Sequence, residues 1–297
     1  MSLRVSALLV AAIGLLGCGT ERTRDNAGST VPTILFLSDF GQKDGAVAVC
    51  KGVMIGIAPA ARIMDITHDV PAYDIESAAE LLEQAVPFYP EGTVTVAVVD
   101  PGVGSERKSI AVRTKRGHIL VGPDNGIFTL LLEAEGLDRA VELTNDRYFL
   151  KPATSFTFHG RDVFSPVAAH LAAGVPLDSL GPAITPVRLP IQPARRVGAG
   201  VEGRVRYVEQ PYGNVVTDIG PALLDSARFR VGDTLRVTVG SRQLVLPWVN
   251  TFSDVVTGAP LAVMHSRALL SFSLNMGDFA ARYGVKRGDR VLVRRTR

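Results

Sequence analysis

Asp100 and Arg107 lie in the stretch VVDPGVGSERKS, residues 98–109, and bring a carboxylate and a guanidinium together around a glycine-rich loop. The apolar run Thr93 to Val99 predicts a buried strand, with Asp100 at its mouth and Pro101, Gly102 and Gly104 just behind. A carboxylate there is placed for chemistry, because open α/β sheets bind ligands beyond the carboxyl ends of their strands. The alternative is a loop aspartate paired with a loop arginine for structure alone, since aspartate is common in turns. A third candidate is His159 in TSFTFHGRDVFSP, residues 154–166, where an imidazole opening onto a helix start can hydrogen-bond a reacting water near neutral pH. A lone loop histidine is equally an ordinary satisfied polar group. Asp39 and Asp44 sit in the loop SDFGQKDG, residues 38–45; two acids there would repel phosphate and suit hydroxyls or an ammonium group. No GxGxxG is present in that loop, so a dinucleotide fingerprint is a poor match.

These residues need elements to hold them. Thr33 to Leu37 and Arg62 to Ile66 predict two further strands, and Ala46 to Ile57 predicts a helix with Val49, Val53 and Ile57 on its buried face, Met54 beside them. Asp74 is a good N-cap for a second helix that Pro87 should stop, buried along Ile75, Ala78, Ala79, Leu82 and Val86. Tyr73, just ahead of that cap, either covers a ligand or packs as a staple. Ser109 to Thr114 and His118 to Val121 predict two more strands, followed by a turn at Pro123 to Gly126 and a helix from Ile127 to Glu135. Asp162 is placed as the N-cap of a helix over Val163 to Ala173. This alternation predicts an N-terminal α/β domain with a largely parallel sheet over residues 33–185, in which the loops of Asp39 and Asp100 share one edge. Four prolines between Leu180 and Gly200 mark a linker. Short alternating runs beyond it predict a small all-β, barrel-like domain, the two making up residues 186–297.

The first residues differ from all of this. Arg4, the apolar run Val5 to Leu16, and Gly17-Cys18 predict a signal peptide over residues 1–17. The ending LLGC resembles a bacterial lipobox, which implies cleavage before Cys18, lipidation of Cys18, and a lipoprotein of the bacterial cell envelope that meets the membrane through that anchor only. Residues 18–32 then form the lipidated cysteine and a flexible tether. If Cys18 is acylated, Cys50 has no partner for an intrachain disulfide and reads as a buried small hydrophobe. The formal charge of +3, from 32 basic and 29 acidic side chains, gives no support for nucleic acid as a partner. His68 has no second metal ligand at a suitable spacing, and it reads as structural, as do His118, His170 and His265.

The strings LSDFGQKDG, DITHDVPAYD, VAVVDPGVG, GPDNGIF, FTFHGRDVFSPVAAHLA and YGNVVTDI together resemble the S-adenosylmethionine (SAM) hydroxide adenosyltransferase family, also called SAM hydrolases, which is similar to the fluorinases and chlorinases. The resemblance implies attack of water or hydroxide on ribose C5′ of SAM, giving adenosine and L-methionine, with no cofactor and no metal. It implies that Asp100, Arg107 and His159 hold the water. In the halogenases the Asp100 position is a tyrosine and the Arg107 position is not arginine, so the hydrolase branch is implied. It further implies Asp39 on the ribose hydroxyls with Tyr73 against the sugar. Asp44, Ser266 and Arg267 would hold the methionine, Tyr212 and Phe252 the faces of adenine, and Asn214 its edge. Glu209 and Leu274, where the fluorinase has aspartate and arginine, stay unassigned. A homotrimer with the site at the subunit interface is implied by the resemblance alone. The competing expectation is an envelope lipoprotein that binds SAM or adenosine-like ligands without turnover.

Overall fold

The computed structural model describes residues 31–152 and 156–296; the signal segment, Cys18 and the tether up to residue 30 lie outside the described residues. Six strands form the first sheet: β1 (Thr33–Ser38), β2 (Arg62–Thr67), β3 (Val94–Val98), β4 (Ser109–Thr114), β5 (Ile119–Pro123) and β6 (Leu137–Glu142). Their order is β2-β1-β3-β5-β4-β6; the first four are parallel, and β4 is antiparallel to both β5 and β6. The strand β6 carries two exposed charged residues, Asp138 and Arg139, and is not announced by its sequence pattern.

Alternation along β1 explains the two-faced core. Ile34 and Phe36 point to the side covered by helices α1 (Ala46–Ile57) and α4 (Ser165–Ala172), while Leu35 and Leu37 point to α2 (Ile75–Ala85) and α3 (Thr129–Glu135). Both faces are buried, so the central strands read as continuous apolar runs. The expected buried face of α1 is corrected: Val47, Cys50 and Met54 are the buried residues, and Val49 is 45% exposed. Both sets of apolar residues recur at helical spacing, and the side facing the sheet is one position removed from the stripe chosen on sequence. Burial pushes the Cys50 thiol up to about 11, which makes it inert.

The connections run from β1 through α1 out to β2, then back through α2 to β3 on the other side of β1. The chain thus reverses its direction of winding between β1 and β3, the switch point at which such sheets leave a crevice. Asp39 and Asp100 follow these two strands, and the Asp39 N–H donates to the Val98 carbonyl at 3.4 Å.

The second domain contains β8 (Gly200–Glu209), β9 (Asn214–Thr217), β10 (Thr234–Val239), β11 (Arg242–Val249), β12 (Pro260–Met264), β13 (Leu270–Leu274) and β14 (Arg290–Arg295), with a short β7 (Arg195–Val197) added to β8. Pairing of β14 with β8 closes these seven strands into a barrel filled by residues such as Val201, Leu235, Val237, Trp248, Phe272 and Val293. Closure removes the exposed edges that an open sheet would leave.

The two domains are joined along the acidic face of α2. Asp74 caps this helix by accepting from the Ser77 N–H at 3.0 Å, and Arg287 of the barrel reaches the same carboxylate and Glu76. Arg206 lies 2.6 Å from Glu80 and 3.0 Å from Glu83, and Arg267 also pairs with Glu83. Burial holds the Glu80 carboxyl above the usual range despite Arg206. A carboxylate left buried without its partner is costly, so Arg206→Met should destabilise the chain by about 3 kcal/mol in urea unfolding. A group with a raised folded pKa contributes stability below its unfolded pKa and loses it as pH rises, so this penalty should be larger at about pH 8 than at about pH 5. An equal penalty at both would show that Glu80 does not carry the effect.

Candidate active site

The loop after β3 turns on hydrogen bonds from the Val103 N–H to the Asp100 carbonyl at 3.2 Å and from the Ser105 N–H to the Gly102 carbonyl at 3.1 Å. Gly104 has φ of 77°, a left-handed conformation that favours glycine. This turn folds Arg107 back over Asp100. The guanidinium grips the carboxylate with both arms, Nε to Oδ1 at 3.1 Å and Nη2 to Oδ2 at 2.5 Å. Its Nη1 donates to the Lys108 carbonyl and to Ser109 Oγ, both at 2.9 Å. Its Nη2 also lies 3.0 Å from His159 Nδ1, and the Phe164 ring centroid is 5.5 Å from the guanidinium carbon. The side chains of Asp100 and Arg107 are 5% and 8% exposed, so the ion pair is largely dry.

His159 is set by an unusual backbone. Residues Gly160–Phe164 form a π-helical turn that runs into α4, so Asp162 is not an N-cap as expected. It lies buried within the turn and accepts from Arg161 Nε at 2.6 Å. One-turn π segments recur at functional sites because the extra residue re-aims a side chain. Gly160 lies close under Phe40: a Cβ there would stand 2.9 Å from Cζ of that ring and force it to shift.

Electrostatics pushes the two titratable groups in opposite senses. Burial raises the Asp100 carboxyl above its usual value, with Arg107 opposing. Burial, reinforced by the Arg107 charge, lowers the His159 imidazole. Because a guanidinium can only donate, Nδ1 of His159 is the acceptor, and the neutral ring carries its proton on Nε2. Nitrogen NMR of His159 at about pH 7 should therefore show Nδ1 unprotonated, and Arg107→Met should raise the titration midpoint towards the ordinary histidine value. A midpoint unchanged by that substitution would contradict this electrostatic account.

Three buried polar side chains support the crevice; His68 reads as structural from the sequence, and sequence reasoning does not single out Ser38 or Asp124. His68 and Ser38 are fully buried with Nδ1 and Oγ 2.7 Å apart, and His68 Nε2 lies 3.0 Å from Asp65. The Ser-His-Asp composition is that of a hydrolytic triad, but a fully buried serine meets no substrate. Instead Ser38 Oγ accepts from the Phe40 N–H at 3.3 Å and braces the Asp39 loop. The third is Asp124, beyond β5, which is buried and accepts from the Val187 N–H at 2.8 Å, tying the linker to this edge. Only spacing beyond a strand end could have flagged it.

The remaining candidates divide into two places. Asp39 accepts from the Tyr73 N–H at 2.9 Å, and Tyr73 has φ of 67° and is 72% exposed. Asp44 accepts from the Ala46 N–H at 2.9 Å at the start of α1. On the barrel, Tyr212, Asn214, Phe252 and Ser266 line a cavity of about 830 Å³ together with Glu209, His265 and Leu274. Asn214 Nδ2 donates to Glu209 at 2.8 Å, and His265 Nε2 is 3.4 Å from the other carboxylate oxygen. Arg267 follows Ser266, but its guanidinium turns to Glu83 and lies over the Tyr207 ring. No residue of the Asp39, Asp100 or His159 loops lines the barrel cavity. Among the described residues no group of three or more His, Cys, Asp or Glu is placed to hold a metal ion.

A parallel-sheet domain with an Asp-Arg-His cluster at its switch point, joined to a seven-stranded barrel with a ligand-sized cavity, defines a two-domain class of small-molecule proteins. Residues 34–181 match the SAM hydroxide adenosyltransferase N-terminal domain and residues 203–292 its C-terminal domain. The chain is 43% identical to an (R)-S-adenosyl-L-methionine hydrolase of Salinispora tropica, over 88% of this chain and 97% of that one. It is 40% identical to one from Thermus thermophilus, covering 86% and 96%, and 31% identical to a fluorinase of Actinoplanes, covering 88% and 97%. A crystal structure of an uncharacterized conserved protein from Thermotoga maritima superposes with a TM-score of 0.84 at 38% identity, over 88% of this chain and all 100% of the other. The chain belongs to the SAM hydroxide adenosyltransferase family.

Proposed function

We propose that this protein hydrolyses S-adenosyl-L-methionine by attack of water or hydroxide at ribose C5′, releasing adenosine and L-methionine. The observation that carries the reading is the buried guanidinium of Arg107, which holds Asp100 and His159 on one side of the crevice. A new O–C5′ bond forms as the C5′–S bond breaks, and the electron pair leaves on sulfur. The sulfonium becomes a neutral thioether and needs no proton, so the protein's task is to strip and orient one water and to take its proton. With Nδ1 of His159 committed to Arg107, the neutral imidazole offers Nε2–H as a donor to the attacking oxygen. That leaves Asp100, whose basicity is increased by burial, as the proton acceptor. Arg107 offers positive charge to an oxygen with hydroxide character.

Asp39 would hold the ribose hydroxyls under Tyr73, and Asp44 the methionine ammonium. Tyr212, Phe252 and Asn214 would enclose adenine. Ser266 and Arg267 would meet the methionine carboxylate, the latter after release from Glu83. The barrel cavity and the Asp100 crevice share no residue within one chain, which supports a site assembled from two subunits of a homotrimer. At the N-terminus, outside the described residues, Cys18 is proposed as the lipid anchor of an envelope protein, checked by the intact mass of the membrane-purified chain.

Asp100→Ala should lower turnover of SAM by about a thousandfold while changing its dissociation constant by only a few-fold, as measured by product release and calorimetry. Undiminished turnover in that variant would remove Asp100 from the reaction. SAM binding without turnover in the unaltered protein would replace hydrolysis with ligand capture. Subunit assembly has a separate check: Asp100→Ala chains and Asn214→Ala chains, each nearly inactive, should recover part of the activity when unfolded and refolded together. No recovery, in particles of mixed composition, would place the whole site within one chain.

A further inference from the structure

The near-neutral balance of the whole chain conceals a division between its domains. Residues 33–185 carry 12 basic and 19 acidic side chains, whereas residues 186–297 carry 17 basic and 8 acidic ones. Part of the barrel's excess is spent on the acidic face of α2, but much of it stands on the outer wall made by β8, β14, β10 and β11. Leu235, Val237, Val291 and Val293 are buried in the barrel, so the alternate residues Arg236, Arg290 and Arg294 face outward. In the strand register Arg236 lies directly opposite Arg294, and Arg290 directly opposite Arg204. Like charges in cross-strand pairs are destabilising. Glu202 offsets the second pair by bonding Arg290, whereas no carboxylate among the described residues pairs with Arg236 or Arg294. Val245, opposite Arg236 on the other side and 57% exposed, adds an apolar contact. A sequence that keeps such a pair against its own folding preference is expected to do so for a partner.

We propose that this wall is a docking surface for anionic lipid headgroups. Charge complementarity favours a polyanionic surface. The outward residues of β14, β10 and β11 include no aromatic side chain on which bases could stack, which disfavours single-stranded nucleic acid. The wall is also turned away from the ligand cavity. Around the closed barrel, β13 is separated from β14 by β10, β11 and β12 in one direction and by β9 and β8 in the other. Asn214, Ser271 and Leu274 of that cavity therefore face away from the arginines, and the protein can lie on a membrane with its ligand entrance open. The inference does not rest on the proposed activity or on a lipid at Cys18; with such an anchor, the basic wall would act as a second attachment that orients the body.

The test uses the chain from Gly19 to Arg297, which retains every described residue and has no Cys18 to acylate. It is sedimented with phosphatidylcholine vesicles, alone or with about 30% phosphatidylglycerol, at low and high salt. The expected result is binding only to the anionic vesicles, loss at high salt, and at least about tenfold weaker binding for Arg236→Gln with Arg294→Gln. That double variant should melt no lower than the parent and keep its SAM turnover, because a like-charge pair is relieved and neither guanidinium has a carboxylate partner to lose. Gln243→Lys, on the same wall, should bind more tightly and provides a reading that does not depend on removing arginine. Equal binding to neutral vesicles, or undiminished binding by the double variant, overturns the proposal. So does binding of duplex DNA without binding of vesicles, or a change in oligomeric mass as the only effect of the double variant.

Discussion

The Arg107 guanidinium is the constraint on which the site depends. It sits almost dry, and a buried cation must find partners for its donors. The partners present are both oxygens of Asp100, a backbone carbonyl, the Ser109 hydroxyl and Nδ1 of His159. The planar fork of arginine matches a carboxylate in a way lysine cannot, so the position of Asp100 is fixed through two contacts rather than one. Burial, reinforced by the same charge, lowers the affinity of His159 for a second proton, and the contact of its Nδ1 with Arg107 leaves Nε2–H as the donor. One guanidinium thus fixes both the tautomer of the histidine and the position of the carboxylate.

The fold brings these groups together by topology and holds them by electrostatics. Winding reverses between β1 and β3, so the loops of Asp39 and Asp100 open side by side without a dedicated cavity having to be built. Tyr73 and Asp74 lie at the start of α2, whose acidic residues are gripped by Arg206, Arg267 and Arg287 of the barrel. The orientation of the barrel is therefore coupled to the Asp39 contact through one helix. Since Arg267 neighbours Ser266 in the barrel cavity, the same ion-pair cluster touches both the Asp39 loop and the barrel cavity.

Much of this was legible in the sequence because strand-end loops announce themselves. An apolar run followed by Asp, Pro and Gly fixed the place of Asp100, and a strand, loop and helix alternation fixed the parallel sheet. The helix cap at Asp74 followed from residue type alone. What escaped had no local signature. The π turn at Gly160–Phe164 has no local sequence signature, so Asp162 looked like a cap when it lies inside a helical stretch. The strand β6 carries charged residues because it is an edge strand, and edges tolerate them. His68 and His265 looked alike in sequence; one is walled in behind the Asp39 loop, the other lines the barrel cavity beside Glu209. The cross-strand pairing of Arg236 with Arg294 requires the register, which no single segment encodes.

Incubation of the protein with SAM in ¹⁸O-labelled water, followed by mass spectrometry of the products, tests the central claim most directly. The account predicts L-methionine without label and adenosine carrying one ¹⁸O at its 5′ hydroxyl. Label in any other product, or cleavage that leaves the 5′ carbon attached to sulfur, would contradict an oxygen nucleophile held by Asp100, Arg107 and His159.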